Sequence, residues 1–136
     1  MADISGIVLQ TFRDKAFGLP ISEENVLSIP NSRSAYCVLQ YFDAGVSPRG
    51  LNDIDEHTAL LQATLNYPAG TGDTSAKAKA QEVIDSYSFN DRLSGTGYFA
   101  NVQDKSQFVG VAEDGWYSIV VRITFLFYLY RTWQNG

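Results

Sequence analysis

The stretch Trp116–Trp133 constrains this chain more than any other, because it alternates like one very long β-strand. Every second residue is apolar: Tyr117, Ile119, Val121, Ile123, Phe125, Phe127 and Leu129 make an uninterrupted face at the period of a pleated strand. The opposite face is mixed. It runs from Trp116, Ser118 and Arg122 to Leu126, Tyr128 and Tyr130, polar at first and then apolar. A straight strand from Trp116 to Arg131 spans roughly 50 Å at about 3.3 Å per residue. A compact chain of this length is only about 35–40 Å across. The strand therefore has to bend or protrude, and the rest of the chain has to cover it.

A chain of 136 residues has the size of one ordinary domain, and we expect a single domain over 1–136. With 45% hydrophobic and 18% charged residues it has the composition of a globular protein. A net charge of −5, with no cluster of Lys and Arg, argues against direct sequence-specific nucleic-acid binding. The single cysteine, Cys37, lies in a strand-like run and reads as a small buried hydrophobe. The N-terminus has no basic region followed by an apolar core, so no secretory signal is expected. Ile119–Tyr130 is far shorter than the ~20 residues of a spanning helix and Arg122 interrupts it, which favours a soluble intracellular product without a membrane partner.

Ile4, Ile7, Val8 and Phe12 recur at helical spacing and predict an amphipathic helix from about Asp3 to about Ala16, stopped by Gly18 and Pro20. Leu19–Ser34, with two prolines and several serines, reads as an irregular connection. Ala35–Asp43 is dense in aromatic and β-branched residues and predicts a strand. Ala44–Glu56, broken by Gly45, Pro48, Gly50 and Asn52, reads as a long exposed loop, and His57–Tyr67 alternates cleanly as the next strand. The glycine-rich Pro68–Asp73 leads into a second helix at about Thr74–Tyr87, whose apolar stripe is Ala76, Ala80, Val83, Ile84 and Tyr87. Lys77, Lys79, Gln81, Glu82 and Asp85 are expected to face water. Ser88–Gly97 reads as a linker. Tyr98–Val102 and Phe108–Ala112 are strand pieces, with Gln103–Gln107 either a tight turn or a bulge between them. Asp114-Gly115 between apolar runs predicts a hairpin into the long strand. This order implies an α+β fold: a mainly antiparallel sheet of about four strands with two helices packed on it.

Chemistry has few footholds. Asp53, Asp55, Glu56 and His57 form the densest ionisable cluster and include the only histidine, the residue types of a hydrolase or metal site. No second histidine or distant carboxylate motif completes a ligand set, and a polar loop-to-strand boundary explains the same letters. The strand, glycine loop and helix at Leu65–Ala80 have the outline of an anion-binding turn. GTGDTSAK does not fit the Walker spacing, however, and a turn that needs glycine accounts for it. There is no G-x-S-x-G, and Cys37 is placed mid-strand, away from any nucleophile arrangement. No enzymatic activity and no cofactor are expected. Arg122, amid large hydrophobes, must snorkel or meet a partner, either within the chain or on a neighbouring subunit.

Several short motifs occur in a telling order: Ile4–Phe12, Glu24-Asn25 with Pro30, Tyr36–Phe42, the P-A-G-x-G of Gln62–Gly72, the Ala-rich Ala76–Ile84, and the D-G-W strand Asp114–Phe127. In that order and spacing the chain resembles the tail terminator (tail completion) proteins of long-tailed phages. The loop Ala44–Glu56 has no match in the family pattern, and Leu126–Arg131 is unusually rich in aromatics. The resemblance implies a structural virion protein, assembled in the host cytoplasm and located in the tail. It would form a ring, commonly a hexamer, that caps the tail tube, stops its polymerisation and offers a docking surface to the head. The implied partners are further copies of itself, the tail tube protein and a head-completion or connector protein; the alternatives are another head–tail connector or neck component and, from a different class, a small enzyme or ligand-binding domain using Asp53, Asp55, Glu56 and His57. On the residues themselves, a strand longer than its domain with a partly apolar second face needs extra cover. A neighbouring subunit or the first helix can supply it. The expected interface residues are Arg49, Asp53 and Asp55 in the loop, and Arg122, Leu126, Tyr128, Tyr130 and Trp133 along the strand.

Overall fold

Alternation over the C-terminal run becomes a strand of 15 residues, Trp116–Tyr130, in the computed structural model. The structure describes residues 4–15, 17–23, 35–48, 54–68, 72–89, 91–113 and 115–130. In chain order the elements are α1 (Ile4–Lys15), β1 (Ile21–Glu23), β2 (Tyr36–Pro48), β3 (Ile54–Pro68), α2 (Gly72–Ser86), β4 (Arg92–Gly95), β5 (Tyr98–Gln107), β6 (Val111–Glu113) and β7 (Trp116–Tyr130). The strands form one sheet in the order β1-β2-β3-β7-β5-β4, with β6 pairing β7 beside β5. Apart from the parallel β1–β2 pair, all neighbours are antiparallel.

The α+β reading with two helices on a largely antiparallel sheet holds, but about four strands is too few, since seven are present among the described residues. The missed strands β1, β4 and β6 are three or four residues long, too short to display a period of two. The supposed loop Ala44–Glu56 is also mostly strand: β2 runs on to Pro48 and β3 begins at Ile54, leaving only 49–53, which lie outside the described residues. The supposed linker Ser88–Gly97 contains β4, which turns through Thr96-Gly97 into β5. Of the irregular connection, Ile21–Glu23 is strand and 24–34 lie outside the described residues, as do 69–71 of the glycine-rich turn. Of the two readings of Gln103–Gln107, the bulge holds and the turn does not. The segment continues β5 after a bulge at Gln103, and the second piece shrinks to Val111–Glu113. β6 and β7 form the expected hairpin, with Glu113 opposite Trp116 and Gly115 at a φ of 82° that favours glycine, while Asp114 lies outside the described residues.

The length conflict resolves by bending. β3 and β7 pair without a register shift from Ile54↔Tyr130 to Pro68↔Trp116. Each flanking strand instead carries an irregularity at one level: β2 between Asp43 and Gly45, opposite Ala59 and Thr58, and β5 between Val102 and Asp104, opposite Phe125 and Thr124. Because Ala59 pairs with Phe125, both bulges flank the same rung of the central pair. Bulges bend a strand and raise its twist. The sheet curls accordingly: α1 packs on β2 and β3, yet Leu93 of β4, at the far end, lines the same shallow cleft as Ile7 and Gln10 of α1.

Both helices cover the odd-numbered face of β7. Its Ile119, Val121, Ile123, Phe125 and Phe127 are buried together with Val8 and Phe12 of α1 and Ala76, Ala80 and Val83 of α2. The two alanines let α2 approach the sheet closely. Tyr87, just past α2, stands edge-on to Phe125 with ring centroids 5.8 Å apart and hydrogen bonds through its hydroxyl to Thr11 at 2.9 Å. Lysines tie the layers together by donating to backbone carbonyls: Lys15 to Ser86 at 2.9 Å, Lys79 to Phe17 at 2.8 Å and Lys105 to Tyr87 at 2.7 Å. Lys79 is thus half-buried rather than solvent-facing, and its aliphatic stem brings the ammonium to the α1–β1 connection. Cys37 is fully buried, and burial pushes its thiol up to about 12, as befits an inert core residue.

Phe125 lies at the level of both bulges and against Tyr87, so Phe125→Ala should remove about 3–5 kcal/mol of stability in urea unfolding. A loss below about 1 kcal/mol would show that the core does not centre on this rung.

Candidate assembly surface

The even-numbered face of β7 is the one that neither helix covers. On it the strand register aligns polar side chains across the three longest strands, with Arg122 opposite Gln62 and Gln62 opposite Gln40. Arg122 donates from Nη2 to Gln62 Oε1 at 2.8 Å, and Gln62 donates from Nε2 to Gln40 Oε1 at 3.0 Å. The guanidinium also lies over the Phe108 ring, 5.1 Å from its centroid. Arg122 therefore has an intrachain amide partner and an aromatic lid, while its Nε is buried without a hydrogen-bond partner among the described residues. Four residues back along β7, Ser118 donates to Asn66, again across β7 and β3.

Toward the end of β7 this face turns aromatic. Tyr128 stacks on Phe99 of β5 with centroids 4.7 Å apart, and Arg92 of β4 lies 5.4 Å from the other ring of that pair, Phe99. Ile54, Phe89, Arg92, Phe99 and Tyr128 line an open groove of about 710 Å³. Tyr128 and Leu126 are half-buried, as expected for a sheet face with no layer above it. The alternative in which α1 covers this face is not what the structure adopts, because α1 packs beside α2 on the opposite side.

The anticipated interface residues are thus only partly brought together. Arg122, Leu126 and Tyr128 share the open face, and Tyr130 closes β7 opposite Ile54. Asp55 pairs with Leu129, on the helix-side parity of the sheet, so it does not join them. Arg49, Asp53 and Trp133 lie outside the described residues. Phe89, Arg92, Phe99 and Phe108 were missed. Phe99 was legible, since alternation through Tyr98–Val102 puts it opposite Tyr98 and Ala100 on the sheet. Phe89 and Arg92 depended on the hairpin at Thr96-Gly97.

The acidic cluster is divided by the same alternation. Glu56 pairs with Tyr128 on one face, while Asp55 and His57 pair with Leu129 and Phe127 on the other. No group of three or more potential metal ligands exists among the described residues. His57 instead pairs through Nε2 with Asp43 across β3 and β2, and Tyr41 donates its hydroxyl to the same carboxylate at 2.9 Å. This latch lies beside the β2 bulge, where Gly45 takes a φ of 121° that side-chain-bearing residues rarely adopt.

A family model described as phage tail terminator protein matches residues 4–125. The chain belongs to the phage tail terminator family. The matched span runs from the start of α1 to the bulge-level rung at Phe125, so it takes in both helices and the whole sheet except the last residues of β7. A tail terminator is a structural protein of the phage tail, and that role extends to this chain as a virion tail component. A solved structure is similar in fold, with 18% identity, a TM-score of 0.68, and coverage of 89% of this chain and 87% of the other. A search of curated proteins finds no match. No helix among the described residues of this tail terminator is long and apolar enough to cross a membrane.

Hydrogen bonds from His57 and then Tyr41 hold the Asp43 carboxyl below its usual 3.8. A carboxyl depressed in the folded state stabilises fully above its unfolded-state value and loses that contribution as pH falls through the folded one. Asp43→Asn should therefore lower Tm at pH 7, and the gap to wild type should close as the pH is taken below about 3.8. Calorimetry across that range checks it. A gap that stays constant down to about pH 2.5 would remove the latch from the account.

Proposed function

We propose that this tail terminator forms a ring, commonly a hexamer in the resemblance drawn from its motifs, that caps the tail tube, ends tube polymerisation and presents a docking surface to the head-completion or connector protein. The observation that carries the reading is the open face of the sheet. Both helices lie on one side, and the other keeps Arg122, Leu126 and Tyr128 half-buried over three long strands. A face of this kind gains most from a neighbouring protein surface, which would desolvate the aromatic end and supply an acceptor near Arg122.

A ring of identical subunits uses heterologous contacts, in which one surface meets a different one on the next copy. Arg122, Leu126, Tyr128 and Tyr130 are assigned to these contacts, together with Trp133 and the Arg49, Asp53 and Asp55 region at the β2–β3 connection. The further partners are the tail tube protein and the head connector, and the site of action is the tail. The role needs no cofactor and no catalysis.

Light scattering combined with negative-stain images tests the assembly: a discrete ring, alone or on tail tubes, is expected. A stable monomer at high concentration and in the presence of tubes would reject it. Tyr128 lies off the core face, so Tyr128→Asp should leave the monomer's unfolding transition in place and weaken assembly about tenfold or more, the effect of a charge carried into a desolvated contact. Loss of monomer folding would instead assign the face to the subunit's own core.

A further inference from the structure

Apart from Ile21 and Phe89, the exposed large apolar side chains among the described residues are not scattered. On the open face they gather at the two margins of the sheet. Phe42, 37% exposed, lies on β2 opposite Leu60, and Leu60 in turn faces Thr124 on the even side of β7. At the other margin Phe108 is 43% exposed, Val109 91% and Val111 58%; Phe108 lies over Arg122 and Val111 is opposite Ser118, again the even side.

The same two margins carry backbone edges that no described strand pairs. β1 reaches only Cys37–Leu39 of β2, so the outer edge of β2 from Phe42 to Pro48 has no described neighbour. β4 reaches only Tyr98–Asn101 of β5, which leaves Val102–Gln107 and β6 open on their outer side. Proteins usually blunt exposed edges with charge, proline or cover. Phe108–Val111 offers none of these, being uncharged and apolar at three of its four positions.

We propose that these margins are two halves of one joint: the β2 margin of each copy of this chain pairs with the β5–β6 margin of the next. The inference rests on the ring reading and adds an edge joint to the open-face contacts assigned above. The occupant is a second copy for three reasons. The margins differ from each other, as a heterologous contact requires. Both present apolar side chains on the same face, and a stagger of about six rungs, which brings Phe42 (level with Thr124) against Val111 (level with Ser118) and carries β4 past the end of β2, lets them bury one another. Strand direction also agrees. β2, β3, β7 and β5 are successively antiparallel, so β2 and β5 run oppositely, and a copy repeated along the sheet sets β5 antiparallel to the next β2. Antiparallel neighbours pair directly through their backbone groups.

The test uses Phe42→Asp and Val109→Asp, each damaging one half of the joint. Both side chains are exposed, so circular dichroism and Tm should match wild type; Phe42→Ser replaces Phe42→Asp if the latter does not fold. Each variant alone should remain monomeric at concentrations where wild type forms rings. Mixed in equal amounts, they should form heterodimers and stop there, because an intact β2 margin on one meets an intact β5–β6 margin on the other while the outer margins are blocked. Rings from either variant alone, dimers of a single variant, or a mixture that stays monomeric would each overturn the joint. Open chains in wild type that both variants shorten would remove the ring but leave the joint standing. A wild type that does not self-associate at all would remove both.

Discussion

The uninterrupted pairing of β3 with β7 is the constraint on which the other features depend. Two strands of 15 residues in continuous register make a ribbon too long for the domain to contain straight. Neither yields. The adjustment is displaced onto β2 and β5, each of which takes its bulge beside the Ala59–Phe125 rung. That placement concentrates the bend at one level, where Phe125 and Tyr87 meet, and the hydroxyl of Tyr87 then reaches Thr11 of α1. Curl of the sheet and seating of both helices thus follow from one conflict of lengths.

A curled sheet with both helices on one side cannot be symmetric in chemistry. The covered side is closed by small residues of α2 and large ones of β7, while the uncovered side keeps amides, a guanidinium and stacked aromatics. Placing Arg122 there is demanding, since a half-buried cation needs acceptors. Gln62 supplies one and Phe108 a ring face, leaving Nε over. The polar ladder also opposes slippage: a shift of one residue between β3 and β7 would turn Gln62 toward the core.

How much of this could be read from the letters depended on element length. β7, β3 and both helices were legible because each repeats its period several times, and Asp114-Gly115 announced its hairpin through a turn that needs glycine. The ends of β2 and β3 were not, since Gly45, Pro48 and Asp55 have the chemistry of a loop yet continue a ladder held by neighbouring strands. β1, β4 and β6 exist because longer strands offer them edges, which is a tertiary cause invisible in three or four letters. For the candidate surface, Arg122, Leu126 and Tyr128 followed from alternation alone. Phe89 and Arg92 did not, because their position derives from β4 folding back along β5. Asp55 stands apart from these three, because adjacent residues on a strand face opposite ways and Asp55 pairs with Leu129 where Glu56 pairs with Tyr128.

The continuous register of β3 with β7 also gives the subunit a direction of mechanical strength. Tension along these strands loads all their rungs together in shear, so none can part until many do. Tension across them peels the same rungs apart singly, beginning at an end. A component at the end of a long tube that is pulled or pushed along its axis would resist most if this ribbon ran with the load, and least if it lay across it.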